Sequence, residues 1–107
     1  MLFRSDMIKV GGEGVSGAEV ERVVLAVAGV KETAVVARPD PVYGEVAVAF
    51  VTLQEGAPND LAVRIVEHCK ATLSKFKVPR EVLIVDSIRS GPLGKISKAE
   101  LRQRLAQ

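Results

Sequence analysis

The sequence has few of the residues that build cross-linked or metal-bound sites. Its 107 residues contain one cysteine, Cys69, one histidine, His68, and no tryptophan. One cysteine excludes an internal disulfide, and a Cys/His metal site is not expected from a single residue of each type. No stretch approaches the ~18 consecutive apolar residues that a membrane-spanning helix needs. We therefore expect one small domain with no metal site and no membrane span.

The lone cysteine and histidine have ordinary structural interpretations. Cys69 falls on the apolar stripe of a predicted helix, so we expect a small core residue rather than a reactive thiol. His68 lies beside that stripe, at the boundary with solvent. Charged residues at Arg4 and Asp6 interrupt the start of the chain, so no secretory signal is expected. Together these features predict a reducing, cytoplasmic setting.

The net charge of +2 hides an asymmetry along the chain. Residues 1–69 carry a net charge of −4, whereas residues 70–107 carry +6. A basic last third suggests an anionic partner, either nucleic acid or a small molecule that bears phosphate.

Hydrophobic periodicity predicts an α+β fold. Ser16 and Glu19 have capping-box spacing before a helix that we expect Gly29 to close. Strands are predicted at 7–10, 33–37, 46–53 and 82–85, and further helices at about 60–74 and 99–106. Residues 39–45 hold two prolines and a glycine and are predicted to be a turn. This order describes an α/β sandwich: a small sheet of about three main strands packed with about three helices.

A glycine pattern near the start matches a dinucleotide-binding motif. Gly12-x-Gly14-x-x-Gly17 follows a short strand and precedes a helix, and Arg38 after the next strand would suit a 2′-phosphate. Glu19 and Glu21 argue against this, because carboxylates in the first turns would repel a pyrophosphate. The simpler interpretation is a glycine-rich turn, whose glycines also allow a ligand to approach the backbone closely.

A second glycine-rich loop presents a single lysine. Gly91-Pro92-Leu93-Gly94 leads to Lys95, and Ser97 with Glu100 forms a capping box for the last helix. This is not a Walker A loop, because Arg89 and Ile96 occupy positions that need glycine and Ser or Thr. A lysine on such a loop is either a solvated charge or a cation delivered to an anionic group.

The few aromatic residues fall at informative places. Phe50 alternates within a strand and is predicted to be core, whereas Tyr43 occupies the Pro/Gly turn. Phe76 follows a helix end, between lysines and close to Arg80. Rings beside cations can stack on a purine while the cations bind phosphate; alternatively, both rings pack against the domain itself.

Taken in order, these segments resemble the C-terminal domain of the acyl-adenylate-forming enzymes, the superfamily of AMP-binding acyl-CoA synthetases. The residues in these segments are most similar to those of fatty-acid and carnitine-type CoA ligases. The matching stretches are residues 6–13, 18–21, 39–45, 49–51, 75–80 and 94–96.

The resemblance implies a two-step ligase in which this domain is a mobile lid. A carboxylate and MgATP give an acyl-adenylate, and the thiol of CoA then displaces AMP. Lys95 would stabilise charge in the first step. Gly11 and Gly12 would line the pantetheine tunnel in the second. Tyr43, Phe76 and Arg80 would contact the CoA nucleotide.

Some positions depart from the family pattern. The hinge residue, usually Asp or Lys, falls at Ser5, and the preceding Gly-Arg pair falls at Leu2 and Phe3. The family's Pro-Arg pair before the lysine loop is replaced by Arg89-Ser90.

Nothing in residues 1–107 corresponds to the large N-terminal domain that holds the ATP and acyl pockets in such ligases. We therefore expect a single lid domain that is inactive alone and works against its own N-terminal adenylation domain. ATP, Mg²⁺ and CoA would serve the parent enzyme, and acyl specificity would lie outside these residues.

Two alternatives remain open from the sequence. One is a small, basic nucleic-acid-binding α/β domain that uses the last third and Phe76. The other is a non-catalytic interaction domain that keeps the fold, which the residues at Ser5 and Phe3 favour.

Overall fold

The computed structural model describes residues 7–106. The predicted hinge at Ser5 and the departures at Leu2 and Phe3 lie outside this range. The strands are β1 (Met7–Val10), β2 (Glu13–Ser16), β3 (Val30–Asp40), β4 (Gly44–Leu53), β5 (Glu81–Ile84), β6 (Arg89–Ser90) and β7 (Lys95–Ile96). The helices are α1 (Gly17–Leu25), α2 (Leu61–Thr72) and α3 (Lys98–Ala106), with a 3-10 turn at Lys75–Lys77.

The main sheet is built around β3 and β4. These two strands form a long antiparallel hairpin, in register from Val30 opposite Leu53 to Asp40 opposite Gly44. On the other side of β4, Gly44 pairs with β1, and β5 runs parallel from Val48 onward. β2 extends the sheet beyond β1, giving five strands, while β6 and β7 form a separate two-stranded hairpin.

Side-chain alternation along the central hairpin divides the core into two layers. Val35 joins a cluster with α1 and α2, whereas its neighbours Ala34 and Val36 join a cluster with α3. On β4, Phe50 faces the α3 side and contributes the largest side chain of that layer. The sheet is therefore covered on both faces, which confirms the predicted α+β sandwich.

The first helix and the turn differ from the sequence prediction. α1 begins as predicted, with the Ser16 hydroxyl accepting a hydrogen bond from the Glu19 amide at 3.3 Å. It ends at Leu25, so Gly29 does not cap it; instead Gly29 takes φ +105° immediately before β3. The predicted turn at 39–45 is shorter, because β3 continues through Pro39 and β4 begins at Gly44.

The β2 strand and the β6–β7 hairpin were missed by the sequence analysis. Glycines around residues 11–14 and 91–94 disguise short strands as turns. The Ser97 hydroxyl accepts from the Glu100 amide at 3.2 Å, so Ser97 caps α3 as predicted. The Glu100 carboxylate does not close the box and is hydrogen-bonded to Ser90 and Arg104 instead.

The remaining sequence predictions concern Cys69 and His68 on α2 and the possibility of a membrane-spanning helix. Cys69 is fully buried, and burial raises the pKa of its thiol, so it is a core residue. His68 is half-buried beside it. Within residues 7–106, no helix is long and apolar enough to cross a membrane.

Candidate functional site

Two aromatic rings and a glycine meet at one end of the sheet. A Cβ placed on Gly11 would lie 3.4 Å from Tyr43 Cδ1 and 3.7 Å from Phe76 Cε1. The Gly11 amide donates a hydrogen bond to the Tyr43 carbonyl at 2.8 Å, and its φ of +58° is one that glycine adopts readily. Glycine here lets the backbone approach both rings.

Asp40 shapes the turn that presents Tyr43. One oxygen of its carboxylate accepts hydrogen bonds from the amides of Val42 at 3.0 Å and Tyr43 at 2.9 Å. These bonds, that from Tyr43 foremost, hold the pKa of Asp40 below its usual value. The ring of Tyr43 is consequently fixed half-buried at the groove, while Val42 at the tip stays exposed.

The rings border a groove of about 590 Å³ on the α1/α2 side of the sheet. It lies where the pairing of β4 passes from β1 at Gly44 to β5 at Val48. Its apolar wall is formed by Val10, Val46, Ala47, Val66, Leu73, Val78 and Pro79. Such a wall suits a flat apolar group rather than a chain of charges.

Three cations surround the groove. The Arg80 guanidinium carbon lies 5.3 Å from the centre of the Tyr43 ring, within cation–π range. Lys70 and Lys75 also line the groove and are exposed. Lys75 is one of the cations beside Phe76 that the sequence indicated, whereas Lys70 was not predicted, because it reaches the groove from α2. Rings flanked by cations provide the chemistry to stack a base and bind its phosphates.

Lys95 lies on the opposite face of the sheet. It begins β7, pairs with Ser90, and is exposed. Within residues 7–106, its side chain makes no hydrogen bond or ion pair. The hairpin is tied to the α3 side, because Ile88 just before it is buried in the cluster with Phe50 and Leu101. The ammonium group is thus free to bind an anion from outside the domain.

The remaining predicted residues fall in different settings. Gly12 shares the turn with Gly11 but has open space around it, with φ +86°. Gly14 belongs to β2 and Gly17 begins α1. The Gly12-x-Gly14-x-x-Gly17 pattern therefore spans the turn and second strand of an antiparallel hairpin. That geometry differs from the strand-turn-helix of a dinucleotide site, as the turn interpretation predicted.

Part of the charge asymmetry of the sequence is neutralised by ion pairs within the domain. Acidic residues of the first part pair with basic residues of the last part: Lys77 with Glu19, Arg89 with Glu32, and Lys98 with Glu21. For the last third as a whole, the anionic partner stays a prediction, carried by the cations outside these three pairs. These three pairs do not test the nucleic-acid alternative, which stays a prediction for the other cations of the last third.

The described part of the chain holds no group of three or more His, Cys, Asp and Glu side chains that could bind a metal ion.

Comparison with known proteins places this chain in a family. Residues 19–95 match the family model described as AMP-binding enzyme C-terminal domain. The chain therefore belongs to the C-terminal domain family of AMP-binding enzymes, the acyl-CoA ligases and their relatives.

Individual relatives are similar over almost the whole chain. A long-chain-fatty-acid–CoA ligase, FadD13 of Mycobacterium tuberculosis, is 40% identical over 92% of this chain. The 2-succinylbenzoate–CoA ligase of Listeria monocytogenes is 36% identical over 94%. These matches cover 19% and 21% of the relatives, so the chain spans about a fifth of their length.

Solved structures have the same fold. The ATP-bound MatB from Rhodopseudomonas palustris superposes with a TM-score of 0.87 at 32% identity, over 94% of this chain and 20% of that one. The amide bond synthetase McbA from Marinactinospora thermotolerans gives 0.85 at 33% identity, over 97% and 21%. The fold of this domain is thus common to MatB and to an amide bond synthetase.

Proposed function

We propose that this chain is the C-terminal lid of an acid–CoA ligase that activates a carboxylic acid, specifically a fatty acid, with ATP. In the first step a carboxylate oxygen bonds to the α-phosphorus and pyrophosphate leaves. In the second, the CoA sulfur bonds to the acyl carbon and AMP leaves. Residues 1–107 form one domain, and the large adenylate-binding domain lies outside them. Family membership and the short share of each relative support this assignment.

The observation that carries the proposal is the unpaired ammonium group of Lys95. It stands on a two-stranded hairpin and contacts no carboxylate within residues 7–106, although several other cations of the last third are paired. A cation held out in this way can stabilise negative charge that develops on the carboxylate and the α-phosphate. Its role is to lower the barrier of adenylation.

The groove on the other face would serve the second step. Tyr43 and Phe76 would stack the adenine of CoA, while Arg80, Lys70 and Lys75 would hold its phosphates. Gly11 and Gly12 would let the pantetheine arm pass close to the backbone. Because the groove and Lys95 lie on opposite faces, the domain must present one face at a time, with Ser5 as the proposed hinge.

Substituting Lys95→Ala in the intact ligase that contains this domain tests the proposal. Pyrophosphate exchange should fall by about 10²–10³-fold, because one preorganised charge is lost from the transition state. Thioester formation from supplied acyl-adenylate should survive. The matched control is Lys31→Met, an exposed cation on β3, which should leave both steps unchanged.

The same experiment also tests the alternative of a non-catalytic interaction domain. An unchanged adenylation rate in Lys95→Ala would contradict the catalytic role and favour a non-catalytic interaction domain. The isolated 107 residues should show no AMP-forming turnover, and measured turnover would refute the assignment as a lid.

A further inference from the structure

One side chain ties the tip of the Lys95 hairpin to the body of the domain. The Arg89 guanidinium donates from Nε to Glu32 Oε2 at 2.8 Å, and its Nη2 also pairs with that carboxylate. Its Nη1 donates to the carbonyl of Gly94 at 3.0 Å. Arg89 thus links β3, through Glu32, with the residue that immediately precedes Lys95.

The pairing of β6 with β7 and the Ser90–Glu100 hydrogen bond hold the base of the hairpin, but the tip beyond them has few contacts. A Cβ on Gly91 or Gly94 would meet nothing within 4 Å, and Leu93 between them is 77% exposed. One backbone bond, from the Gly94 amide to the Gly91 carbonyl at 3.1 Å, closes the turn. Without packing, the direction of the tip depends on polar contacts at its base.

The base of the hairpin fixes Arg89 in turn. The Ser87 hydroxyl accepts from the Arg89 amide at 3.1 Å, and the Ser87 carbonyl accepts from Arg104 of α3 at 3.1 Å. The Glu32 carboxylate raises the pKa of Arg89, chiefly through their hydrogen bond, so the guanidinium stays charged. A planar guanidinium can bind a carboxylate and a carbonyl together, which a lysine ammonium does less specifically.

We propose that Arg89 is a positioning residue for Lys95: held by Glu32, it fixes the carbonyl of Gly94 and so sets the direction in which Lys95 leaves the domain. This inference rests on the proposed function of Lys95, because a fixed direction matters only if the ammonium must reach a particular anion. The ordering of the tip by Arg89 is measurable without that function.

The first experiment uses the ¹⁵N-labelled chain. In Arg89→Met, which keeps much of the aliphatic stem, heteronuclear NOE values should fall at the amides of residues 91 and 93–96, and their hydrogen exchange should accelerate roughly two- to fivefold. Glu32→Gln should produce a smaller change of the same kind, and Arg89→Lys an intermediate one. Arg64→Met, which removes the Arg64–Asp60 pair on α2, is the matched control and should leave these amides unchanged.

The second experiment distinguishes a positioning role of Arg89 from a purely structural one. In the intact ligase, Arg89→Met should lower kcat of adenylation about tenfold with little change in KM for ATP, and Arg89→Lys should recover part of the loss. Unchanged order at the tip in both Arg89→Met and Glu32→Gln would overturn the proposal. A loosened tip with an unchanged adenylation rate would also overturn it. The role of Lys95 itself is judged separately by Lys95→Ala.

Discussion

The two faces of the sheet hold their candidate residues by different means. On the α1/α2 face, Tyr43 and Phe76 sit against Gly11 over an apolar wall, so packing defines the groove. On the α3 face, Lys95 stands on a tip that packs against little and is oriented by hydrogen bonds at its base. A preformed groove suits repeated binding of one large ligand, whereas a tethered cation suits delivery of charge into another site.

Replacing Gly11 should damage the packed face most. Gly11→Ala would place a Cβ 3.4 Å from Tyr43 at a φ of +58°, which costs about 1–2 kcal/mol for a residue with a side chain. We expect lower stability in urea unfolding. We also expect several-fold weaker CoA binding in an NMR titration, because the ring pair must shift.

Gly56→Ala, in a loop that does not line the groove, is the matched control for this substitution. It imposes a similar backbone cost at φ +80° but meets nothing within 4 Å. Stability should fall comparably while CoA binding by the isolated chain is retained. Equal losses of binding in both variants would show that the contact with the rings is unimportant.

The lysines at the groove should produce a smaller effect with a chemical signature. The double variant Lys70→Met and Lys75→Met should weaken CoA binding about two- to threefold, since both charges are exposed and screened. The affinity for dephospho-CoA, which lacks the 3′-phosphate, should fall less in the double variant. Calorimetric titration of both ligands measures the difference, and Lys31→Met supplies the charge-matched control. Equal losses of affinity for the two ligands would contradict contact between these lysines and the 3′-phosphate.

The smallest expected effect is a change in one acid titration on the hairpin face. Hydrogen bonds, first from Ser90 and then from Arg104, lower the pKa of Glu100. A lowered pKa in the folded state means stability that is present above the unfolded pKa and lost as pH falls through the folded pKa. Ser90→Ala should therefore raise the pKa of Glu100 toward its ordinary value of 4.5 and remove part of that contribution above pH 4.5.

Asp40 is the internal control in the same carboxyl-detected NMR titration. Its pKa is lowered mainly by the Tyr43 amide at the far turn, so it should not move in Ser90→Ala. A shift of both groups would mean that the two faces are electrostatically coupled, which contradicts their independence.

The elements with strong local patterns were predictable. β4 is an almost unbroken apolar run that ends where expected at Leu53, and the four-residue spacing of Leu61, Ile65 and Cys69 matches the buried face of α2. Both serine N-caps, at Ser16 and Ser97, formed because each hydroxyl accepts from an amide three residues further on. β2 was missed because its strand character comes from pairing with β1 rather than from its own residues.

The residues of the candidate site also divide into those that the sequence indicated and those that it did not. Gly11, Tyr43, Phe76 and Arg80 could be singled out through the family resemblance, and the structure brings these four together at one groove. Lys70 and the Arg89–Glu32 pair had no local signal. Each belongs to a contact between elements that are distant in sequence, so periodicity and spacing could not indicate it.

The sequence by itself determined the fold class, the caps of two helices and the glycine-framed lysine, because these depend on residues a few positions apart. Only the tertiary structure decided that the groove and Lys95 face opposite sides of one sheet. It also decided that three cations of the last third, Lys77, Arg89 and Lys98, pair with acids of the first part. Strand register and through-space charge pairing join distant parts of the chain, and both arise only when the sheet closes.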